Sequence, residues 1–336
     1  MQQFLIIQTA FIGDVVLATA LVEKLHAFFP DAQIDFLLRK GNEGLLNGHP
    51  YLNEVMIWDK KKGKYKSLWQ LLRQIRAKRY DKVINIQRFG ATGFLTAFSK
   101  AKERIGFDKN PFSSFFDVHV KHTMANEKDS PHEIERNLAL IKHFTDNSIV
   151  KPKLYPTNED DSKVQSLKAI PYICVAPASV WFTKQYPAEK WVSFIQQLHK
   201  GYTIYLLGAP GEVPLCESIQ RNANKPEVIN LAGKLNFLQS ASLMQDAVMN
   251  YVNDSAPMHF ASAMNAPVTA VYCSTVPSFG YGPLSDKKYI VEVEEALPCR
   301  PCGLHGYREC PLKHFKCGYD IRDEQLLKSL DLKFEI

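Results

Sequence analysis

No run of about 18 consecutive apolar residues occurs in the 336-residue chain, so the sequence predicts no transmembrane helix. The first apolar segment, residues 4–7, is short and lacks a basic leader, so no signal peptide is expected. We therefore expect a cytoplasmic protein. A net charge of +6 is too small to indicate nucleic-acid binding by itself, although a basic face could meet phosphate groups or anionic lipid headgroups.

A glycine-rich dinucleotide loop is also missing from the turn that follows the first apolar segment. Residues 9–14 of this turn do not read G-x-G-x-x-G, the signature of dinucleotide binding, so an NAD-dependent oxidoreductase is disfavoured. The basic residues are not interleaved with stacking aromatics, which argues against a nucleic-acid-binding protein.

Short apolar segments alternate with helical patterns in two series, which argues for parallel sheets with helices on both faces. Polar residues 146–170 contain two prolines and separate the series as a linker. We predict an α/β protein of two doubly wound, Rossmann-like domains, residues 1–155 and 165–318, with a ligand cleft between them. The predicted strands lie at residues 4–7, 34–38, 55–58, 83–86, 172–175, 203–207, 228–231, 251–252 and 268–272.

An acidic residue closes the turn after the first predicted strand. Asp14 lies at the mouth of that strand, where a carboxylate could act as a general base that takes a proton from an attacking hydroxyl. Gly13 beside it permits close backbone approach. Capping of the following helix explains Asp14 equally well.

Two turns in the second series carry groups that suit a nucleotide. Thr183 and Lys184 offer a hydroxyl and an ammonium to phosphate oxygens, although a lysine is more often simply solvated. Glu212 follows a later strand and could accept hydrogen bonds from ribose hydroxyls, or it could complement the dipole of its own helix.

A third turn of the second series, residues 253–259, joins a strand to a helix that starts near Pro257. Free backbone amides at such a start can hold an anion such as a diphosphate. Asp254 and Ser255 could cap the helix or touch a sugar. His259 lies inside the helix, and we interpret it as structural. Ala256 and Met258 complete the candidate segment.

Basic residues gather in the first series. Lys60 starts a stretch with five lysines in seven residues, a pattern that usually marks a solvated surface. Arg88 and Arg104 lie at predicted strand ends, where arginine suits bidentate capture of a carboxylate or phosphate.

Four cysteines crowd into the last fifth of the chain with a leading C-x-x-C spacing. In a reducing compartment such a cluster could bind structural zinc, with His314 as a substitute ligand. The later spacings do not match a common zinc finger, and free thiols packed in a loop explain them as well. The four are Cys299, Cys302, Cys310 and Cys317.

Taken together, these stretches resemble glycosyltransferase family 9, the ADP-heptose:lipopolysaccharide heptosyltransferases. Their order and spacing are more specific than any one motif. Gln8 stands where many members carry Arg, and Ser255-Ala256 replaces a more usual Thr-Gly, so the donor and acceptor stay open. The matching stretches are residues 12–14, 104–107, 132–138, 183–187, 253–259 and 299–317.

The resemblance implies a GT-B fold, inversion at the anomeric carbon and no cofactor for catalysis. It makes Asp14 the base, with Lys184 and Thr183 neutralising the departing diphosphate of ADP-heptose. The amides of residues 255–258 assist, Glu212 holds the ribose, and Asp254 lies near the donor.

The resemblance also assigns the first domain to the acceptor and the second to the nucleotide sugar. Gly13, Lys60, Arg88 and Arg104 would meet an anionic acceptor such as a Kdo-bearing lipid A core, and the lysine run implies peripheral contact with the inner membrane. Residues 319–336 would form a helix that packs back on the first domain.

Two alternatives within the nucleotide-sugar enzymes stay open. A transferase for another nucleotide sugar would share the same features. A non-hydrolysing sugar-nucleotide epimerase also has two Rossmann-like halves, but it needs several acid/base groups, and Asp14 is the one clear candidate. An epimerase would turn over its substrate without an acceptor.

Overall fold

Two parallel six-stranded sheets, one in each half of the chain, form the framework of the computed structural model. The structure describes residues 1–61, 63–123 and 130–330. The chain divides into the units Met1–Tyr155 and Pro156–Ile336, so the first unit ends at the residue predicted for the end of the first domain. No helix in the described ranges has the length and apolar character that crossing a bilayer requires.

The first unit places its longest helix in the core. The strands are β1 (Gln3–Ile7), β2 (Gln33–Arg39), β3 (Glu54–Trp58), β4 (Lys82–Asn85), β5 (Glu103–Phe107) and β6 (Val118–Val120), and the helices are α1 (Ile12–Phe28), α2 (Lys64–Lys78), α3 (Gly90–Ala97) and α4 (Glu133–Ala139). The strand order is β3-β2-β1-β4-β5-β6. Residues 4–7 of β1 are fully buried, as expected for a central parallel strand covered on both faces. Residues 15–25 of α1 are buried as well.

The second unit repeats this arrangement. Its strands are β7 (Tyr172–Ala176), β8 (Thr203–Leu206), β9 (Val228–Asn230), β10 (Met249–Asn253), β11 (Val268–Tyr272) and β12 (Lys288–Glu292), and its helices are α5 (Asn158–Val164), α6 (Ala188–Gln197), α7 (Val213–Ala223), α8 (Phe237–Gln245), α9 (Ala256–Ala263), α10 (Lys316–Tyr319) and α11 (Asp323–Leu327). The order β12-β11-β10-β7-β8-β9 matches that of the first sheet when strands are counted within the unit.

Each sheet has a point where the strand order reverses. It lies between β1 and β4 in the first sheet and between β7 and β10 in the second. Ile7 pairs with Asn85, and Ala176 pairs with Val252, so the carboxyl ends of the two strands lie side by side at each reversal. Ligands of open α/β sheets bind beyond such ends. The turns that hold Asp14, Lys184 and Asp254 all follow these strands.

The strands predicted from the sequence all occur, with bounds within two residues. The prediction gave no bounds for the strand near Arg104, which is β5, and it missed β6 and β12, which are short or start with a charged residue. It also missed α3, whose two glycines hide its helical pattern. Gly93 is needed there because a Cβ would come within 2.0 Å of the Asn110 side chain.

The predicted linker at residues 146–170 is partly helical. Thr157 caps α5, because its hydroxyl accepts a hydrogen bond from the Asp160 amide at 3.2 Å and Asp160 accepts one from the Thr157 amide at 3.0 Å. The linker prediction is therefore wrong for residues 158–168, where a capping box outweighs the polar composition.

The chain end packs within the second unit. Leu326 and Leu330 belong to the same buried cluster as Trp191 and Tyr251. The Ser329 hydroxyl accepts a hydrogen bond from Thr269 at 2.7 Å. Apolar side chains within residues 319–330 thus complete the core of the second unit, and packing of residues 319–336 on the first domain stays a prediction. Residues 331–336 lie outside the described ranges.

We predict that Leu326→Ala lowers the free energy of unfolding by about 2–5 kcal/mol, because it opens a cavity in the core of the second unit. Leu312→Ala is the matched control: that side chain is 60% exposed, and we expect a change below about 0.5 kcal/mol. Urea unfolding of the full chain measures both. Equal effects would show that the terminal helix contributes nothing to the core.

Candidate functional site

Asp14 belongs to the first turn of α1 rather than to the loop before it. The helix starts at Ile12, so Gly13 and Asp14 are its second and third residues. Asp14 Oδ2 accepts a hydrogen bond from the Phe11 amide at 3.0 Å, which is the local capping contact that the sequence also allowed. Burial, and after it the charge of Glu133, raises the pKa of Asp14 to about 6. The carboxyl group is thus placed near the pKa that suits proton transfer at neutral pH.

Cations surround the same turn. The guanidinium of Arg39, the last residue of β2, lies 5.0 Å from the centre of the Phe11 ring and opposes the rise in the Asp14 pKa. Lys60 Nζ donates to the Thr9 carbonyl oxygen at 3.1 Å. Lys60 thus lies at the carboxyl end of β1, near Asp14, whereas Lys62 of the same run lies outside the described residues.

The helix α4 brings an ion pair to this region. Glu133 Oε2 accepts hydrogen bonds from Nε and Nη2 of Arg136 at 2.9 and 2.6 Å, and both residues are buried. Asn137 follows them and is fully buried, and neither polar atom of its amide has a hydrogen-bond partner among the described residues. Buried amides are rarely left so, and buried water is a common partner of such groups in proteins.

Buried amide side chains form the floor between β1 and β4. The Gln87 side chain donates to Gln8 Oε1, which also accepts from the Ala10 amide at 3.1 Å. Asn85 Oδ1 accepts from the Gln87 amide at 2.9 Å. Within the described ranges, Asn85 Nδ2 and Gln87 Oε1 lack partners. These atoms lie at the strand reversal, where a hydroxyl-rich ligand could complete their hydrogen bonds.

The two predicted arginines have different positions. Arg88 is exposed and follows β4 at its carboxyl end. Arg104 is near the amino end of β5, and its guanidinium donates two hydrogen bonds of 2.8 Å to Asp117. The prediction that Arg104 lies near the ligand is wrong. Arg104 lies at the amino end of its strand, away from the carboxyl ends where ligands bind, and its guanidinium is already paired with Asp117.

Lys184 and Asp254, predicted separately, form an ion pair in the second unit. Lys184 Nζ lies 2.7 Å from Asp254 Oδ2, and the side chains are only 15% and 9% exposed. The Thr275 hydroxyl donates to the same carboxylate oxygen at 2.7 Å. Lys184 is thereby held beside the start of α9.

Thr183 is occupied within the protein. Its hydroxyl accepts hydrogen bonds from the Tyr307 amide at 2.7 Å and from the Ser274 hydroxyl at 3.0 Å, and the residue is 1% exposed. The prediction that Thr183 binds phosphate is therefore wrong. It fastens the loop around Tyr307 next to Lys184.

The start of α9 offers fewer groups than predicted. Ser255 is the N-cap, and Pro257 has no amide hydrogen. The Met258 amide donates to the Ser255 carbonyl at 3.1 Å, and its side chain is fully buried. Pro257 and Met258 therefore cannot donate to a diphosphate. The amides of Ser255 and Ala256 precede the intrahelical bonds and keep this capacity.

Glu212 closes its own turn. Its Oε2 accepts a hydrogen bond from the Ala209 amide at 2.7 Å, which is the capping alternative. The carboxylate lies beyond β8, the neighbour of β7, so it stays at the carboxyl edge of the sheet.

The terminal cysteines do not form the zinc site that their spacing allowed. All four are free thiols. Cys299 Sγ is 3.9 Å from His314 Nε2, and the Cys302 thiol donates a hydrogen bond to the Cys299 carbonyl oxygen at 3.3 Å. Within the described part of the chain, no group of three or more His, Cys, Asp or Glu side chains could hold a metal ion. Cys310 and Cys317 instead join or pack against the core.

Comparison with known proteins fits this architecture. A model of glycosyltransferase family 9 (heptosyltransferase) matches residues 68–311, more than half of the chain. The chain belongs to glycosyltransferase family 9. It is similar to lipopolysaccharide heptosyltransferase 3 of Escherichia coli, with 26% identity over 79% of this chain and 82% of the relative. Lipooligosaccharide heptosyltransferase 2 of Haemophilus influenzae is 27% identical over 87% of this chain and 88% of the relative.

Solved structures share the fold. The E. coli ADP-heptose LPS heptosyltransferase II matches with a TM-score of 0.80 and 22% identity over 98% of this chain and 97% of that one. A family 9 glycosyl transferase from Veillonella parvula matches with a TM-score of 0.82 and 20% identity over 98% and 95%. The α/β fold of GT-B type, with two doubly wound units, is confirmed, and so is the resemblance to family 9.

Several residues of this family 9 chain escaped the sequence analysis. Arg39 ends a buried strand at the carboxyl edge, a signal that could have been used. Glu133 and Arg136 were noted only in a matching stretch, without a role. Thr275 follows β11 and carries no distinctive pattern, because its contact with Asp254 arises from packing.

We predict that Asp14→Asn raises the melting temperature by about 2–4 °C at pH 8. The folded pKa of about 6 exceeds the ordinary carboxyl value of 3.8, so ionisation of Asp14 destabilises the native state. This destabilisation is complete above the folded pKa and declines as pH falls towards the unfolded pKa, so the gain should nearly vanish by about pH 4.

Scanning calorimetry from acidic to alkaline pH measures this effect, with the exposed Asp31→Asn as control. A loss of stability at pH 8 in Asp14→Asn would instead make the carboxylate a net stabiliser of the helix start.

We also predict that Asp254→Asn lowers the free energy of unfolding by about 2–4 kcal/mol, because it leaves the largely buried Lys184 ammonium without its carboxylate. Glu294→Gln breaks the ion pair with Arg322, whose partners are 57% and 61% exposed, and should cost less than about 1 kcal/mol. Urea unfolding compares the two, and equal costs would contradict a structural role for the buried pair.

Proposed function

We propose that this chain transfers a heptose from ADP-heptose to an inner-core acceptor of lipopolysaccharide, with inversion at the anomeric carbon. Membership of family 9 makes it a glycosyltransferase, and the names of the E. coli and H. influenzae relatives support lipopolysaccharide as the acceptor. The E. coli structure named for ADP-heptose supports that donor. The observation that carries the proposal is the half-buried Asp14, with its raised pKa, at the strand reversal of the first sheet.

Asp14 is the proposed general base. The acceptor hydroxyl oxygen attacks the anomeric carbon while its proton passes to the Asp14 carboxylate, and the bond to the diphosphate oxygen breaks to release ADP. One displacement of this kind inverts the configuration. A pKa of about 6 leaves most of the carboxylate ionised at neutral pH yet keeps it more basic than an ordinary aspartate.

The acceptor is proposed to lie against the first unit, beside Asp14. Lys60 and Arg39 place positive charge at the same turn, and Arg88 lies beyond β4. Carboxylates and phosphates of an inner core would pair with such cations. Gly13 brings the helix backbone close, and the buried amides of Asn85 and Gln87 have unfilled hydrogen-bond capacity for sugar hydroxyls.

The donor diphosphate is proposed to lie against Lys184 and the start of α9. The Lys184 ammonium and the amides of Ser255 and Ala256 offer positive charge to the departing group. Asp254 pairs with the Lys184 ammonium in this structure. When the donor binds, the ammonium would therefore donate hydrogen bonds to both Asp254 and a phosphate oxygen. Glu212, at the same edge of the sheet, is the proposed partner of the ribose hydroxyls.

We predict that Asp14→Asn lowers the transfer rate by about 100- to 10,000-fold while the thermal shift caused by ADP stays unchanged. In the wild type, kcat/KM should fall as pH drops below about 6, because protonated Asp14 cannot accept the hydroxyl proton, and the variant should lack this limb. Asp31→Asn should behave as the wild type.

The donor half of the proposal is tested in the same experiment with a panel of sugar nucleotides. Lys184→Ala should weaken the ADP thermal shift, and the exposed Lys200→Ala should not. Stabilisation by uridine or guanosine nucleotides alone would refute the heptose donor. Turnover without an acceptor would favour the epimerase, and no response to any nucleotide would refute a nucleotide-sugar enzyme.

A further inference from the structure

Five aromatic side chains form a continuous surface on the first unit, which we name the aromatic face. Trp69 and Phe115 are 54% and 50% exposed, and the others are half-buried. The rings touch in sequence, with centroids 5.5 Å apart for Trp69 and Phe94 and 5.9 Å apart for Phe98 and Phe115. The face consists of Trp69, Phe94, Phe98, Phe112 and Phe115.

A basic concavity of about 570 Å³ lies on the same unit. Tyr80 at its base precedes β4, and Lys100 and Lys102 precede β5, so it lies at the amino ends of these strands. Asp14 lies at the carboxyl ends, so the concavity is separate from the candidate site. Its cationic lining is Arg73, Arg76, Arg79, Lys100 and Lys102.

The aromatic face and the basic concavity are parts of one surface. Trp69, Arg73 and Arg76 are spaced by four and three residues on α2, so they lie along one side of that helix. Arg76 Nε donates to the Phe98 carbonyl at 2.7 Å, which ties the concavity to the aromatic layer.

The positive charge of the concavity is mostly uncompensated. Lys102 pairs with Asp81 at 2.7 Å. Among the described residues, no carboxylate forms an ion pair with Arg73, Arg79 or Lys100. Arg79 and Lys100 have φ of 54° and 62°, a left-handed conformation that is unfavourable for non-glycine residues. A phosphate-bearing ligand would neutralise these three charges.

We propose that the aromatic face and the basic concavity together dock the protein on a bilayer of anionic phospholipid. Exposed tryptophan and phenylalanine enter the headgroup region of a membrane, and neighbouring lysine and arginine bind phosphate headgroups. The surface lies on the unit to which we assign the lipid-linked acceptor. It differs from the lysine run at residues 60–66, from which the sequence predicted membrane contact.

The ring geometry favours a lipid surface over a nucleic acid. Trp69 meets Phe94 at an angle of 76°, and Phe98 meets Phe112 at the same angle. Each of these edge-to-face contacts covers one ring face on which a base could otherwise stack. A bilayer needs apolar edges and charge, and the surface offers both.

Flotation of the full chain with phosphatidylcholine vesicles, with and without phosphatidylglycerol, tests the proposal. The wild type should bind only the vesicles that contain phosphatidylglycerol, and added salt should weaken this binding. The combined variant Arg73→Ala, Arg79→Ala, Lys100→Ala should lower the partition coefficient about 100-fold. Trp69→Ser with Phe115→Ser should lower it at least about tenfold without a change in charge.

The matched control removes the same charge from the second unit through Lys200→Ala, Arg221→Ala and Lys287→Ala, and it should bind as the wild type. Tryptophan emission should shift to shorter wavelength on anionic vesicles. Trp69→Phe should abolish the shift, because Trp58 and Trp191 are buried and the half-buried Trp181 lies in the second unit, outside the docking surface. Equal loss of binding in the control would overturn the proposal, as would wild-type binding to an oligonucleotide or acidic peptide but not to vesicles.

Vesicle binding requires neither donor nor acceptor, so it is independent of the proposed transfer reaction. The ADP thermal shift should be the same in the wild type and in all surface variants. Loss of vesicle binding in the wild type with an intact ADP response would refute the docking surface alone. An intact vesicle response without any nucleotide response would refute the proposed function alone.

Discussion

Parallel pairing at the strand reversals is the constraint on which the candidate site depends. All carboxyl ends in a parallel sheet point to one edge, and the reversal leaves the ends of two central strands side by side there. Segments far apart in the sequence therefore meet. Gln8 meets Gln87 in the first unit, and Lys184 meets Asp254 in the second. No local preference of these residues would bring them together.

The two units use charge in opposite ways at this edge. In the first, burial and the neighbouring Glu133 make Asp14 a stronger base than an ordinary aspartate. In the second, Asp254 and Thr275 hold a lysine ammonium beside a helix start. A group that accepts a proton and a group that stabilises a departing anion are the two requirements of the proposed transfer. Each of these groups is positioned by the sheet of its own unit.

The strands predicted from local sequence patterns were correct, whereas the roles assigned to Thr183 and Arg104, which depend on tertiary contacts, were not. The turns that carry Asp14 and Lys184 could be predicted, because each lies between an apolar strand segment and a segment with helical periodicity. Thr183 was assigned to phosphate from its residue type, whereas packing gives its hydroxyl to Tyr307 and Ser274. Arg104 was assigned from its nearness to a strand, but the direction of that strand decides which edge it occupies. Cysteine spacing does not determine where the sulfurs point, and among the described residues the four terminal cysteines do not gather into a group that could hold a metal ion.

The two α/β series, the bounds of the central strands and the turns that carry the candidate chemistry could be predicted from the amino-acid order. These features follow from apolar periodicity and burial, which act over a few residues at a time. Packing between distant segments gave Lys184 its partner, the Asp254 carboxylate, and raised the pKa of Asp14. Packing also placed the aromatic face next to the basic concavity. These depend on distances between separate elements, and packing sets such distances only when the whole sheet has formed.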